Sequence, residues 1–271
     1  MLPNEAHPKH FMKPAGIKTN RTLCGWLNSF LLVTAFLLVT SAWASDRETS
    51  ASRETPSETV PYKLTAGVYK ISGASEAYDI NLRKSSPAGN LWLGYYEAHV
   101  QDEHQLRGGW DNSFEMQAFR LIPSLQFASG GFAAFSIQAE TGQPWFVGAG
   151  FGRTNLRLYW NLNFDPNDSY LLSAGHRTDN GEVIALQLVR DNRQNPDQRH
   201  IHLFYRIPRP DGERLTIDLL YKSGLVDGVQ IDKWGASLTY DWPRFFLRGA
   251  YDPKVNFTPD DMWRIAIGTR F

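Results

Sequence analysis

The 271-residue chain carries 28 basic and 28 acidic side chains, so no large net field points to nucleic acid or to an acidic partner. Aromatic residues make up 13% of it, with nine Trp, yet the mean hydropathy is only -0.38. Many large rings on a chain that is not greasy on average suit half-apolar barrel strands and a soluble β-sandwich equally.

Lys9, Lys13, Lys18 and Arg21 lead into an apolar run over 27–40, and Ala42-Trp43-Ala44 follows it. That layout predicts a signal peptide, 1–44, cleaved after Ala44. The competing reading is a retained anchor, because 26–44 approaches the length a spanning helix needs. The single cysteine, Cys24, precedes the apolar run. Cleavage removes it, and with it any disulfide framework, thiol nucleophile or thiolate metal site. Residues 45–60 are nearly all Ser, Thr, Glu and Arg, with Arg-Glu-Thr repeated, which predicts a flexible leader rather than a folded element.

From 61 to 271 no long stretch keeps a helical period, whereas alternation of apolar and polar residues recurs about every 15 residues, so this domain reads as all-β. Strands are expected near 62–72, 77–84, 91–100, 112–127 and 132–140, with 101–112 (QDEHQLRGGWDN) as the longest well-marked connection. Residues 145–151 read either as a strand or as part of a glycine-rich loop or bulge around Gly148, Gly150 and Gly152. The clearest strand is 156–164, with Leu156, Leu158, Trp160, Leu162 and Phe164 on one face. The same split appears for Tyr78, Ile80 and Leu82, for Ile201, Leu203 and Tyr205, for Leu215, Ile217 and Leu219, and for Trp234, Ala236 and Leu238.

An apolar face can pack on a second sheet or on lipid. Tyr78, Tyr205, Tyr221, Trp234, Tyr240, Tyr251 and Trp263 stand at the ends of apolar rows, as in a membrane interface belt. The opposite faces carry charges of both signs. Arg83, Arg157, Arg206, Arg248, Arg264 and Arg270 are expected to point into a narrow lumen, with His200, His202 and Asp218, and to face Asp79, Glu140 and Asp252 there. The expectation is therefore a transmembrane antiparallel β-barrel, with a periplasmic β-sandwich binding protein as the alternative. Connections counted back from the C-terminus (253–261, 241–244, 223–230, 208–213, 191–198, 178–181) alternate between longer and shorter, as extracellular loops and periplasmic turns do. A closed bacterial barrel favours an even count; chain length favours twelve strands, with fourteen as the other solution.

In the last strand Trp263, Ile265, Ile267 and Phe271 alternate with Arg264, Ala266, Gly268 and Arg270, and the chain stops on Phe271. This resembles the C-terminal β-signal of bacterial outer-membrane barrels, with Thr269 as a polar departure in the outward row. The resemblance implies the bacterial outer membrane as the compartment, its lipid as a partner and the barrel-assembly machinery as a partner during biogenesis. It does not assign an activity.

His176 and Thr178 lie two residues apart ahead of Asn180-Gly181, which is similar to the outer-membrane phospholipase A pattern and implies base, nucleophile and orienter roles for His176, Thr178 and Asn180. Thr stands where that pattern has Ser, Asp179 is an extra residue, and Asp179-Asn180-Gly181 is already explained as a tight turn. His200 and His202 have a metal-compatible spacing but no third ligand, so a lumenal hydrogen-bond network is expected and no metal. Asp165, Asn167 and Asp168 fall short of a calcium loop, and the glycines at 148–152 lack the following helix a phosphate site needs. No cofactor and no nucleic-acid partner are expected. The residues favour a narrow channel or structural membrane protein without enzymatic activity over an outer-membrane lipid-acting hydrolase or acyl-modifying enzyme.

Overall fold

The structure, a computed structural model, describes residues 60–73, 76–98, 103–160, 167–193, 195, 197–226 and 228–271. The expected signal peptide at 1–44 and the leader at 45–60, apart from Val60, lie outside the described residues.

Fifteen antiparallel strands follow in chain order: β1 Tyr62–Ile71, β2 Glu76–Ser86, β3 Gly89–Ala98, β4 Glu103–Asp111, β5 Phe114–Glu115, β6 Arg120–Ala128, β7 Phe132–Thr141, β8 Trp145–Thr154, β9 Ser169–Arg177, β10 Val183–Asp191, β11 Arg199–Pro208, β12 Arg214–Val226, β13 Val229–Asp241, β14 Phe245–Asp252 and β15 Met262–Arg270. Each long strand pairs with its chain neighbours. β1 pairs with β15, and β4 pairs with β6, which closes the sheet into a fourteen-stranded ring. Closure leaves no unpaired sheet edge, the condition for crossing a hydrocarbon layer with strands. Tyr62 and Phe271 exchange backbone N–H···O bonds of 3.0 Å at the seam, and their rings stack at 5.7 Å.

The short β5 prolongs β4 along β6 in the same register, with Asp111 opposite Ser124 and Phe114 opposite Leu121. The ladder breaks between them because Pro123 has no N–H to return to Asn112, whose own N–H reaches the Pro123 carbonyl at 3.4 Å.

Four expectations differ from the structure. The strand count is fourteen, not the favoured twelve. Residues 103–111, expected inside a loop, form β4: their charges and glycines alternate with Leu106, which faces outward, and the polar members Gln105 and Arg107 are buried inside. The stretch 156–164 is not a wall strand in its described part. Leu156 has a φ of 60°, which turns the chain out of the extended path, and 155–160 bends inward instead. Residues 145–151 do belong to a strand, β8, whose Gly148, Gly150 and Gly152 take the inward positions while Trp145, Val147, Ala149 and Phe151 take the outward ones. The expected loop at 223–230 is also shorter, since β12 runs on to Val226 and β13 begins at Val229.

Outward rows are apolar and exposed, with no second sheet on them: Leu93, Leu172 and Leu186, and on β15 Ile265 (65% exposed) and Ile267 (58%). A sandwich would bury these faces. The apolar rows end in two aromatic belts. Toward the rim that carries the C-terminus lie Trp145 against His176, Tyr240 against Trp242, and Tyr62 against Phe271. Toward the other, distal rim lie Phe151 against Phe135 and Tyr170, Tyr221 against Trp234, and Tyr251 against Trp263. Along β15 the belts are separated by the path from Trp263 to Phe271, roughly 26 Å of strand at ~3.3 Å per residue, or about 20 Å of height at a barrel's usual tilt.

Candidate functional site: the charged lumen and its two mouths

Inward side chains are mostly buried against one another, so the interior is narrow and largely filled. At mid-height it is polar: Ser124 meets Ser136, Gln126 is 1% exposed, and His202 Nδ1 lies 2.9 Å from an Asp218 oxygen. His202 stacks on Phe204 at 5.3 Å, and Phe204 joins Phe146, Val183 and Ala185 in a small apolar cluster on the wall.

The C-terminal rim is ringed by guanidinium groups. Glu140 on β7 accepts from Arg120 on β6 at 2.8 Å and from Arg177 on β9. Across the barrel, Asp241 on β13 accepts from Arg214 on β12 at 3.2 Å and from Arg270 on β15 at 2.6 Å. In each triad one carboxylate is shared by two guanidiniums. Between the triads Arg83 pairs with Asp111 at 3.0 Å, and Arg248 donates to the Thr239 hydroxyl at 2.9 Å. Several of these cations also lie over inward aromatic rings: Arg177 is 3.8 Å from the Phe146 centroid, and Lys63 is 4.5 Å from that of Phe246.

The distal rim is narrowed by two segments that fold inward. In 155–160, Gln105 donates to the Leu158 carbonyl at 3.1 Å and accepts from the Trp160 N–H at 3.0 Å, and Arg107 donates to the Trp160 carbonyl at 3.2 Å. These bonds satisfy backbone groups that left the ladder. Trp160 stacks on Tyr96 at 6.3 Å and Tyr159 on Phe132 at 4.4 Å. Arg107 is itself paired with Asp79. The second segment, 253–261, turns through a single 3-10 turn at Val255–Phe257. Val255 packs with Tyr69, Tyr96, Ala98 and Met262, and Phe257 stacks on His200 at 5.4 Å. Lys222 anchors it from the wall: its ammonium contacts Asp252, lies 3.3 Å from the Lys254 carbonyl and sits over the Phe257 ring.

Among the residues expected in the lumen, Arg83, His200, His202, Arg206, Asp218, Arg248, Arg264 and Arg270 occupy inward positions of their strands. Arg157 does not: it lies exposed in the segment 155–160, which is not part of a strand and so does not aim it inward. Arg107, Arg120, Arg177, Arg214 and Lys222 also take inward positions and were not singled out by sequence reasoning. The available signal was parity, since Arg177 shares its face with Ser173 and Gly175, opposite Leu172 and His176.

His176, Thr178 and Asn180 are not assembled as a relay. His176 points outward into the aromatic belt with its ring edge-on to Trp145 at 4.6 Å. The Thr178 hydroxyl is engaged in the turn by Asn180 and by the Glu182 N–H at 3.0 Å. Among the described residues, no group of three His, Cys, Asp or Glu side chains could hold a metal.

A closed antiparallel ring with exposed apolar rows, two aromatic belts and a charged interior defines an integral transmembrane β-barrel of the bacterial outer-membrane type. The connections from β8 to β9 and from β14 to β15, the longest ones, leave from the distal rim, which is therefore the extracellular one, and the C-terminal rim is periplasmic. No protein-family model matches the chain, and no curated protein matches its sequence. Among solved structures it is similar to the Acinetobacter baumannii outer membrane protein Omp33 at 9% identity, covering 78% of this chain and 98% of that one with a TM-score of 0.49. It is also similar to the KdgM porin, at 9% identity, 77% and 99% coverage and a TM-score of 0.39, and to Salmonella typhi OmpF in complex with daunomycin, at 10% identity, 78% and 97% coverage and a TM-score of 0.43.

Proposed function

We propose that the protein is a narrow outer-membrane channel that prefers small anionic solutes. The observation that carries this reading is the tally of charged inward strand positions at the periplasmic mouth among the described residues, where Lys63, Arg83, Arg120, Arg177, Arg206, Arg214, Arg248 and Arg270 stand with Asp111, Glu140 and Asp241. Fixed charge in a low-dielectric tube acts strongly on a passing ion, because little water screens it. Cations are repelled at this mouth and anions are concentrated there. The inward segments 155–160 and 253–261 set a small cross-section at the extracellular end. The outward row Trp263, Ile265, Ile267 and Phe271 is the feature that the assembly machinery would read, and outer-membrane lipid covers the same row after insertion.

Single-channel recording of the refolded protein in planar bilayers tests the proposal. Small discrete current steps are expected. Folded protein, verified by heat-modifiable gel mobility, that inserts without carrying current would overturn it.

A further inference from the structure

We infer that the route through the barrel runs along β8, in a groove with a glycine floor and sides of uncharged hydroxyls and amides, where a small anion exchanges part of its water for those groups. This route rests on the anion-preferring reading above, as the path of the ion once it has passed the mouth.

β8 turns Gly148, Gly150 and Gly152 to the lumen in succession, so its backbone is bare between Phe146 at the periplasmic end and Thr154 at the distal end. The register sets polar side chains on both sides of this floor. On β7, Glu140, Gln138 and Ser136 stand opposite the three glycines, and on β9 Ser173, Leu171 and Ser169 do. The Ser173 Oγ and Gln138 Nε2 lean over the floor: a Cβ on Gly148 would lie 2.6 Å from the first and 3.6 Å from the second. On β6, Ser124 bonds to Ser136, and Gln126 stands one inward position nearer the distal rim. Leu171 and Ile122 are the apolar exceptions. Between Glu140 and Arg177 at the periplasmic rim and Asp168 at the distal end, no inward residue of β7, β8 or β9 carries a charge.

Hydrogen bonding and exposure both mark this wall as the wet one. The hydroxyls of Ser169 and Ser173 and both amide atoms of Gln126 are buried without a protein partner. Buried polar groups in folded proteins bond to water where they do not bond to protein, and on this wall the partner is the water or solute in the groove. Gln138, Gly148, Gly150 and Ser173 are half-buried, whereas Ala185 on β10, Ala250 on β14 and Ala266 on β15, also small or inward, are buried. At the entrance the Phe146 ring leans off the β8 line onto Gly175 of β9, where a Cβ would collide with it, and the Arg177 guanidinium lies on the same ring at 3.8 Å. Hydroxyl and amide groups donate to an anion and so replace part of its hydration. Being uncharged, they hold it weakly enough to let it leave.

Cysteine modification tests the route. In a Cys24→Ser background, Ser136→Cys, Ser173→Cys, Ala185→Cys and Ala250→Cys barrels, each verified by heat-modifiable gel mobility, are treated with the small anion 2-sulfonatoethyl methanethiosulfonate. Labelling is followed by mass spectrometry and, in parallel, by single-channel current. The Ser136→Cys and Ser173→Cys variants should react about tenfold faster or more than the other two, because access sets thiol reactivity. The attached sulfonate should lower their conductance by about half or more, since it stands in the path of the ion. Equal rates, faster labelling of Ala185→Cys and Ala250→Cys, or complete labelling of Ser173→Cys with unchanged current would overturn the route. Fast labelling of the two serine-site variants in a barrel that carries no current would leave the groove standing and remove the channel. Current through barrels whose serine-site variants do not react would keep the channel and overturn the groove.

Discussion

Replacing Lys222 by Met should release the segment 253–261 from the extracellular end of the lumen. The Lys222 and Asp252 side chains are both fully buried and in contact, and the same ammonium holds the Lys254 carbonyl and the face of Phe257. Removing one member of a buried ion pair costs about 3–5 kcal/mol. Asp252 sits at the end of β14, directly under the segment, so the structure has a local way to relieve that cost: the segment lifts, water enters and the carboxylate is solvated. A loss of 3 kcal/mol shifts the ratio of docked to lifted segment by about a hundredfold. Hydrogen exchange of amides in 253–261 reads this directly, and the open-channel conductance should rise with it. The double variant Lys222→Met with Asp252→Leu removes both charges and should regain much of the protection, since an apolar pair of similar volume is often as stable as the ions it replaces. Unchanged exchange in the single variant, or protection lost equally in the double variant, would refute the latch.

Two further outcomes follow from the outer face and the same segment. Ile267→Arg, at an outward position midway between the belts, should destabilise the barrel in vesicles by roughly 2–4 kcal/mol, measured by reversible denaturant unfolding, because a charge there meets hydrocarbon. Asp261 is held below its ordinary value of 3.8, chiefly by the Lys254 backbone N–H and then by the Lys254 side chain. A depressed carboxyl contributes stability that is fully present above the ordinary value and is lost as pH falls through the folded one. Exchange in 253–261 should therefore be pH-independent, after correction for intrinsic rates, above about pH 5 and accelerate only in stronger acid.

Much of the wall was legible because a barrel strand must alternate: Tyr78, Ile80 and Leu82, or Ile201, Leu203 and Tyr205, face lipid as their spacing implied, and Arg83, His202 and Arg206 face inward on the complementary parity. The same rule misled at 156–164. Leu156, Leu158 and Trp160 alternate as a strand would, but a period of two records only that one side is apolar, not what lies against it. Leu158 and Trp160 meet Gln105, Arg107 and Tyr96, more than fifty residues earlier, and no local pattern encodes that meeting. Residues 103–111 misled in the opposite direction, since charge and glycine read as loop until a lumen exists to receive Gln105 and Arg107. The triads were hidden for a related reason: Arg120, Glu140 and Arg177 come from three strands, and only ring closure brings them to one mouth.

The charge of that mouth is read by the reversal potential of single channels in a KCl gradient. The potential should report chloride over potassium and move toward potassium in the combined Arg177→Gln and Arg270→Gln variant. A wild-type channel selective for potassium would contradict the anion preference.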